Sequence, residues 1–571
     1  MELGRVVAGR LPLAAAVALL AALSYLVFPG HTYLQQDSQI YVAILEHLWD
    51  SSVLANDPVA VRHHVTFTIY DEVALGLRRL TGLGFEPLLV ADQLVHRTAG
   101  ILGVYLIGTA LGLSRRRSLL LAAIYALGAN VSGPEVLTVE YEPKPRASAV
   151  PAVLLAVGCI ARHWYLAGGI AGAVAFLYHP PTVYPFWLVY FAMELWPARP
   201  EEMKRRIYGI VPLATAILAL LVVSRFQVGG PEPQSFFGAI DPELEPLQKM
   251  RARYAWVSLW IGDRIGHYLV LWGVAVAAFL RLRPVMPAGL RFFAVGLPLV
   301  GMLSLPATYL LLDQWKWVLM PKAQPARAVL FVTAMAVILA MAACLRAGTN
   351  RRFAEAAAWG VLAFLAPLAP NVLVFLPPDP GNPVIVRRAI LVVALGALAA
   401  AAATLRGAAG WTAWGAALVA PFFLIPSFGS VVNYRQIETP ELIELAEWAR
   451  AHTPKHAVFL FPDASRSLEP GIFRARALRA IYVDWKGGGQ VNMVKAFGQE
   501  WWKRWQETMA PPFEPFRLEE FARLGIDYAV VSAANRVPRR EAAFENARFV
   551  VYRLRPDRDS VRLEPERRPR G

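Results

Sequence analysis

Apolar residues in this chain gather into long runs separated by short polar stretches. A helix needs about 20 residues to cross the hydrocarbon of a bilayer. Runs at 11–29, 89–113, 118–133, 147–160, 166–178, 183–196, 207–226, 266–279, 291–312, 328–345, 356–376, 384–405 and 411–432 predict about 13 membrane-crossing helices. Several in the first half are short and must stand nearly upright or extend into their flanks. Arg5 and Arg10 precede the first run, and no small-x-small cleavage pattern follows it before His31. It reads as a retained span rather than a cleaved signal peptide.

Two stretches are long without being spans. Residues 31–88 contain amphipathic patches such as Ile40–Trp49, where Ile40, Ile44 and Leu48 share a face; these predict helices lying on the membrane surface. Residues 227–265 carry Pro, Gly and Trp, and loops of that length usually carry function. From about Arg435 the period changes. Thr439 and Pro440 open an amphipathic helix over Pro440–Ala451. Short strands are predicted at 457–461, 480–485, 528–532 and 549–554, with helices at 491–505 and 518–524. The expected fold class is therefore a polytopic α-helical membrane domain (1–434, with outer loops 31–88, 134–146, 227–265 and 313–327) plus a small C-terminal α/β domain (435–556). The charged tail 557–571 reads as disordered.

Composition sharpens this picture. Only 17% of the 571 residues are charged and 56% are hydrophobic, against about 25% charged in soluble domains. The net charge of +15 is distributed by topology. With a cytoplasmic N-terminus, the loops expected inside hold Arg115–Arg117, Arg162, Arg199, Lys204–Arg206, Arg281, Arg283, Arg291, Arg346, Arg351, Arg352 and Arg406. The opposite loops hold most of the acids. This is the positive-inside pattern. It argues for an odd number of spans and for a C-terminal domain outside the cytoplasm, and it removes any need for a nucleic-acid partner. High Arg over Lys, with much Ala and Pro, suggests a GC-rich bacterial genome and hence a bacterial cytoplasmic (inner) membrane. Cys159 and Cys344 lie in apolar runs, so they supply neither a disulfide framework nor a metal cluster.

Candidate chemistry collects on the outer side. Asp37 follows the first span, close enough to the membrane surface to reach a lipid headgroup; the plainer reading is an N-cap on the next helix. Glu140 and Glu142 point the same way if their segment is extended, and could hold a divalent cation or orient an acceptor. Lys144 and Arg146 beside them could contact phosphate, or the segment could be an ordinary charged turn. His179 ends a span before two prolines and could bind metal or phosphate, although a structural breaker explains it as well. Lys316, Lys322 and Arg327 break the outer charge pattern and could bind an anionic headgroup or pyrophosphate, while Trp315 and Trp317 suit an interfacial belt. Asp92 and His96, at i and i+4, share a face within or near the bilayer beside Arg97. The turn from Trp485 through Lys486 to Gln490 is glycine-rich without a phosphate-loop pattern, and reads as a plain strand-to-helix connection. Glu500–Trp505 is aromatic and basic, suited to stacking on sugar or resting on the bilayer.

This arrangement resembles the GT-C superfamily of membrane glycosyltransferases. The matching features are Asp37 after the first span, Glu140-Tyr141-Glu142 in the next outer loop, Arg327 at the outer end of a late span, and an extracytoplasmic domain after the spans. The resemblance implies a polyprenyl-phosphate or polyprenyl-pyrophosphate sugar donor. It implies Asp37 as base, Glu140 and Glu142 positioning acceptor or a divalent metal (Mg or Mn, shared with Asp37), and Arg327 with Lys316 or Lys322 holding the leaving phosphate. Trp501-Trp502 is followed by Lys503, so the Trp-Trp-Asp sequence of oligosaccharyltransferases is absent. The C-terminal segment resembles an uncharacterised bacterial domain. A transporter or flippase for a lipid-linked substrate, and a non-catalytic scaffold of the same fold, are the alternatives. Oligomeric state is not legible.

Overall fold

The computed structural model describes residues 2–61, 68–224, 236–260, 262–377, 379–493 and 495–555. The tail 557–571 lies outside them, as do residues 62–67 and 225–235 of the two long loops. Every predicted span coincides with helix over most of its length, and the differences lie at the ends. The run 118–133 is helical only over Arg115–Ala126; Gly128 and Gly133 take positive φ, a conformation open to glycine. The chain there makes an antiparallel pair, β1 (Asn130–Val131) with β2 (Val136–Leu137). The run 356–376 stops being α-helical at Leu368, two residues before Pro370, which cannot continue a helix.

Among the described residues six helical stretches are long and apolar enough to cross a membrane, by length and composition: Pro200–Val223, Asp263–Val285, Ala288–Gln314, Met320–Thr349, Pro383–Thr404 and Gly407–Ser427. Shorter apolar helices include Pro12–Leu26, Pro145–Ala161, Tyr165–Tyr178 and Phe353–Leu368. The stretch Met320–Thr349 is enclosed by other helices. Others turn apolar side chains outward: Leu218, Leu280, Leu303 and Val393 are all more than half exposed. A protein in water would not leave so many leucines and valines on its surface, and the molecule is an integral membrane protein of mostly helical build. Helices Phe85–Ala110 and Pro145–Ala161 touch backbone to backbone, where a Cβ on Gly158 would collide with the Gly103 carbonyl oxygen. Such small-residue contacts are how helices pack tightly in lipid.

The C-terminal segment builds a five-stranded sheet in the order β4-β3-β5-β7-β6. Its strands are β3 (Val458–Leu460), β4 (Ala480–Ile481), β5 (Tyr528–Ser532), β6 (Phe544–Glu545) and β7 (Phe549–Arg553). β3 is parallel to β4 and β5; β7 is antiparallel to β5 and β6. Side chains alternate between faces with period two. Phe459, Tyr528, Val530 and Val551 join the core that continues into the transmembrane helices. Leu460, Ala529, Val531, Val550 and Tyr552 pack on Trp501, Trp505 and Ile40 and Ile44 of the first outer loop. Helices Pro440–His452, Glu469–Ala477, Lys495–Thr508 and Arg517–Arg523 cover the sheet.

A buried ion triad fastens this segment to the first loop. Arg474 Nε lies 2.6 Å from Asp57 Oδ2, and a second guanidinium nitrogen pairs with Asp484; all three side chains are at most 2% exposed. Asp57 Oδ2 also accepts the Ile481 N–H at 2.9 Å, and Asp484 Oδ2 the Gly487 N–H at 3.0 Å. Removing one partner of such a buried network strands the others without a counter-charge, at a cost of about 3–5 kcal/mol. Arg474→Met is therefore expected to lower the thermal midpoint of the purified protein by several degrees. An unchanged midpoint would mean that the triad does not hold the segment in place.

Candidate functional site

Asp37 directly precedes the helix Ser38–Trp49, where an aspartate ordinarily caps its own helix. Its carboxylate makes no capping bond. Glu142 replaces it: Oε1 accepts from the Gln36 N–H at 2.6 Å and the Ser38 hydroxyl at 2.9 Å, and Oε2 from the Ser38 N–H at 3.3 Å. A carboxylate at a helix N-terminus is favoured by the orphan amides and the helix dipole. With that place filled, Asp37 is free to face elsewhere.

It faces two lysines. Lys486 Nζ lies 2.6 Å from Asp37 Oδ1 and 3.0 Å from Gln36 Oε1. Lys144 Nζ lies 3.2 Å from Asp37 Oδ2 and 3.0 Å from Glu140 Oε2. Arg146 Nε donates to Glu140 Oε1 at 2.6 Å. Five charges of alternating sign thus run Lys486, Asp37, Lys144, Glu140, Arg146. The Glu140 segment is held by Arg97, whose guanidinium donates to the carbonyls of Ser24 at 2.7 Å, Gly30 at 3.1 Å and Glu140 at 2.5 Å. Lys144 and Arg146 flank Pro145 at the start of helix Pro145–Ala161, a first-turn position that suits proline.

Asp37 keeps 37% of its side chain exposed, onto a cavity of about 1260 Å³ deep between the helices, the loops and the C-terminal segment. Burial alone would raise the Asp37 carboxyl; Lys486, Lys144 and then Arg146 outweigh it and hold the group well below the usual carboxylate range. Burial likewise acts to raise Glu140, but Arg146 and Lys144 bring it down. Burial dominates at Glu142 and raises it. His179 is pushed well down by burial and by Arg146 and Arg327, so it is neutral at pH 7.

Asp37, Lys144, Arg146, His179, Lys322 and Arg327 all line this cavity. Within it the Arg327 guanidinium carbon sits 5.0 Å from the centre of the Tyr254 ring, and its Nε and the Nδ1 of His179 have no hydrogen-bond partner among the described residues. Three expectations need correction. Glu140 and Glu142 are 4% and 0% exposed and are not on the wall; they hold cations and backbone in place. Lys316 points elsewhere, to Glu245 at 2.8 Å. The shared divalent cation does not fit, because lysines, Arg146, Ser38 and backbone amides already engage the carboxylates; among the described residues no group of three or more His, Cys, Asp or Glu is placed to hold a metal ion. Asp92 accepts from Ser148 at 3.1 Å and Tyr178 at 3.0 Å and pairs with His96 at 3.3 Å. Neither Asp92 nor His96 reaches the cavity.

The wall also holds cations that sequence reasoning missed: Lys486, Arg251, Arg264 and Arg466. Lys486 comes from the glycine-rich turn read as a plain connection, and Arg251 from the long loop 227–265. With Lys144, Arg146, Lys322 and Arg327 they make eight cations among the described residues, against the carboxylates of Asp37 and Glu135. Such an excess of positive charge in a concave, sheltered site attracts polyanions.

Residues 440–508 match a domain of unknown function, DUF6798. That match takes in Arg466, Trp485, Lys486 and Gln490, all on the cavity wall. No relative of curated function matches the sequence. Among solved structures the chain is similar to ArnT from Cupriavidus metallidurans in the apo state, at 14% identity over 96% of this chain and 98% of that one, with a TM-score of 0.46. It is similar to the same protein bound to undecaprenyl phosphate at 16% identity over 96% and 98%, with a TM-score of 0.43. It is also similar to the arabinofuranosyltransferase AftD from Mycobacteria, at 17% identity over 92% of this chain and 35% of that one, with a TM-score of 0.44.

The depressed Asp37 pKa has a defined sign. The folded value lies below the ordinary 3.8, so the stabilisation from its pairing is complete above that value and fades only as pH falls through the lower folded one. Lys486→Met removes the largest attraction and should move Asp37 protonation to higher pH. An isotope-edited infrared titration of the carboxyl band reads this directly; coincident curves for the variant and the wild type would uncouple the two residues.

Proposed function

We propose that this chain is an integral membrane glycosyltransferase, moving a sugar from a polyprenyl-phosphate or polyprenyl-pyrophosphate donor to an acceptor on the extracytoplasmic side. The observation that carries this reading is one ionised aspartate facing a large cavity walled by cations. Nucleophilic displacement at a sugar carbon bonded to phosphate needs a group to receive the acceptor proton and positive charge for the departing oxyanion. The cavity volume of about 1260 Å³ exceeds the roughly 300–1,000 Å³ usual for one small ligand, which suits two substrates at once. The charge pattern of the loops supports a cytoplasmic N-terminus, about 13 crossings and a C-terminal α/β domain outside, in a bacterial inner membrane.

In this mechanism the bond from the anomeric carbon to the phosphate oxygen breaks as the bond to the acceptor oxygen forms. The electron pair leaves with the phosphate, whose charge Arg327, Lys322 and Arg146 face. The acceptor proton passes to Asp37. A carboxylate with so low a pKa is a weak base, so Asp37 first accepts a hydrogen bond from the acceptor hydroxyl and orients it. The proton moves late, once the oxygen is bonding to carbon. Glu140 and Glu142 position this machinery without touching substrate. No step is routed through a metal ion. The transporter alternative would want a polar path past Asp92 and His96, and finds no support in their closed hydrogen bonding.

The test is transfer of label from synthetic polyprenyl-linked sugars by purified protein. Asp37→Asn should cut the rate by about 10²–10⁴-fold, the range of a general base, with donor binding retained. Equal rates would remove Asp37 from the mechanism.

A further inference from the structure

The buried cations of the ionic chain each have a carboxylate. Lys144 has Asp37 and Glu140, Arg146 has Glu140, and Lys486 has Asp37. Two other cations on the cavity wall are arranged differently. The guanidinium carbon of Arg251 sits 3.8 Å from the centre of the Trp485 ring, and that of Arg466 4.6 Å from the same ring. Neither forms an ion pair with a carboxylate among the described residues. Arg251 gives one N–H to the Trp485 carbonyl at 2.5 Å, and its Nε is buried without a hydrogen-bond partner among the described residues. Burial pushes its pKa down to about 10; Tyr254, Asp484 and Glu135 act to raise it, and the like charge of Arg466 acts to lower it.

Two guanidiniums held against one indole repel each other, while each is attracted to the face of the ring. An anion bound to both would offset their like charge and take up N–H groups not already bonded, in the forked geometry for which arginine is suited. This subsite is separate from the Arg327 and Lys322 wall in origin. Arg466 and Trp485 both belong to the residues that match the domain of unknown function, and Arg251 ends the helix Leu244–Arg251. Gly488 lets the pieces meet, since a Cβ there would collide with the Trp501 ring and lie 2.8 Å from Arg251 Nε. Lys486, the next residue after Trp485, is already bonded to Asp37.

Resting on the glycosyl-transfer reading, we infer that the 440–508 unit is the acceptor wall of the cavity, and that Trp485 with Arg251 and Arg466 binds an anionic group, phosphate or carboxylate, carried by the acceptor. Arg466 makes no hydrogen bond or ion pair among the described residues, so Arg466→Ala removes charge without removing a structural bond. Arg251→Met is the second variant.

The full-length purified protein is titrated with inorganic phosphate and, separately, with acetate, following heat and tryptophan fluorescence. Wild type should bind two phosphates. Arg466→Ala should weaken one of them tenfold or more and leave the other, while Arg327→Met should do the reverse. An acetate response lost in Arg466→Ala identifies a carboxylate acceptor, and a response to phosphate alone identifies a phosphorylated one. Phosphate and acetate titrations unchanged in both Arg466→Ala and Arg251→Met overturn the inference. Transfer assays separate this from the broader reading. Label moving equally well to neutral acceptors sinks the anionic subsite and leaves glycosyl transfer standing. No transfer to any acceptor, with phosphate binding still lost in Arg466→Ala, sinks the transfer reading and leaves an anion site.

Discussion

The alternating chain from Lys486 through Asp37, Lys144 and Glu140 to Arg146 is what the rest of the site depends on. Each charge compensates the next, so cations and carboxylates that would be too costly to bury singly can sit together deep in the molecule. Because the chain begins and ends on a cation, it carries net positive charge toward the cavity. Its only solvent-facing carboxylate is Asp37, at 37% exposure. The arrangement keeps that aspartate ionised, fixes its direction, and surrounds it with charge of the sign that a phosphate seeks.

Two features keep the chain in register. Glu142 occupies the N-terminus of the helix Ser38–Trp49 and so releases Asp37 from the capping role its position invites. The triad of Asp57, Arg474 and Asp484 fixes the turn that carries Lys486, since Asp484 also takes the Gly487 amide. The sheet strengthens the same joint, with one face continuous with the transmembrane core and the other packed on Ile40 and Ile44. The residues that match a domain of unknown function are therefore built into the cavity rather than appended to it.

Much of this was legible in the sequence, for reasons that also explain what was not. Apolar runs located the helices because lipid-facing and core-facing surfaces are both apolar, but glycine and proline set ends that the runs alone misplace, as at Gly128 and Pro370. The helix Glu469–Ala477 went unread; nearly all of it is buried, so it lacks the polar face that periodicity detects. Asp37, Lys144, Arg146, His179, Lys322 and Arg327 reach one cavity, as their clustering at the outer edges of helices suggested. Glu140 and Glu142 were read as holding a cation or orienting an acceptor because spacing shows which way side chains point but not which partners they meet. Lys316 lies at positive φ and pairs with Glu245. Lys486, Arg251 and Arg466 carried no local signal, because what makes them significant is proximity to residues far along the chain.

That separation has a bearing on biogenesis. Asp37 and Lys486 are 449 positions apart, so a long stretch of chain must be made before the aspartate meets its strongest partner. During insertion the first loop holds a carboxylate with Lys144 alone beside it, and one wall of the chamber does not exist. The ionic chain is therefore complete only after the glycine-rich turn has docked, and a chain cut short before that turn would lack Lys486 and one wall of the cavity.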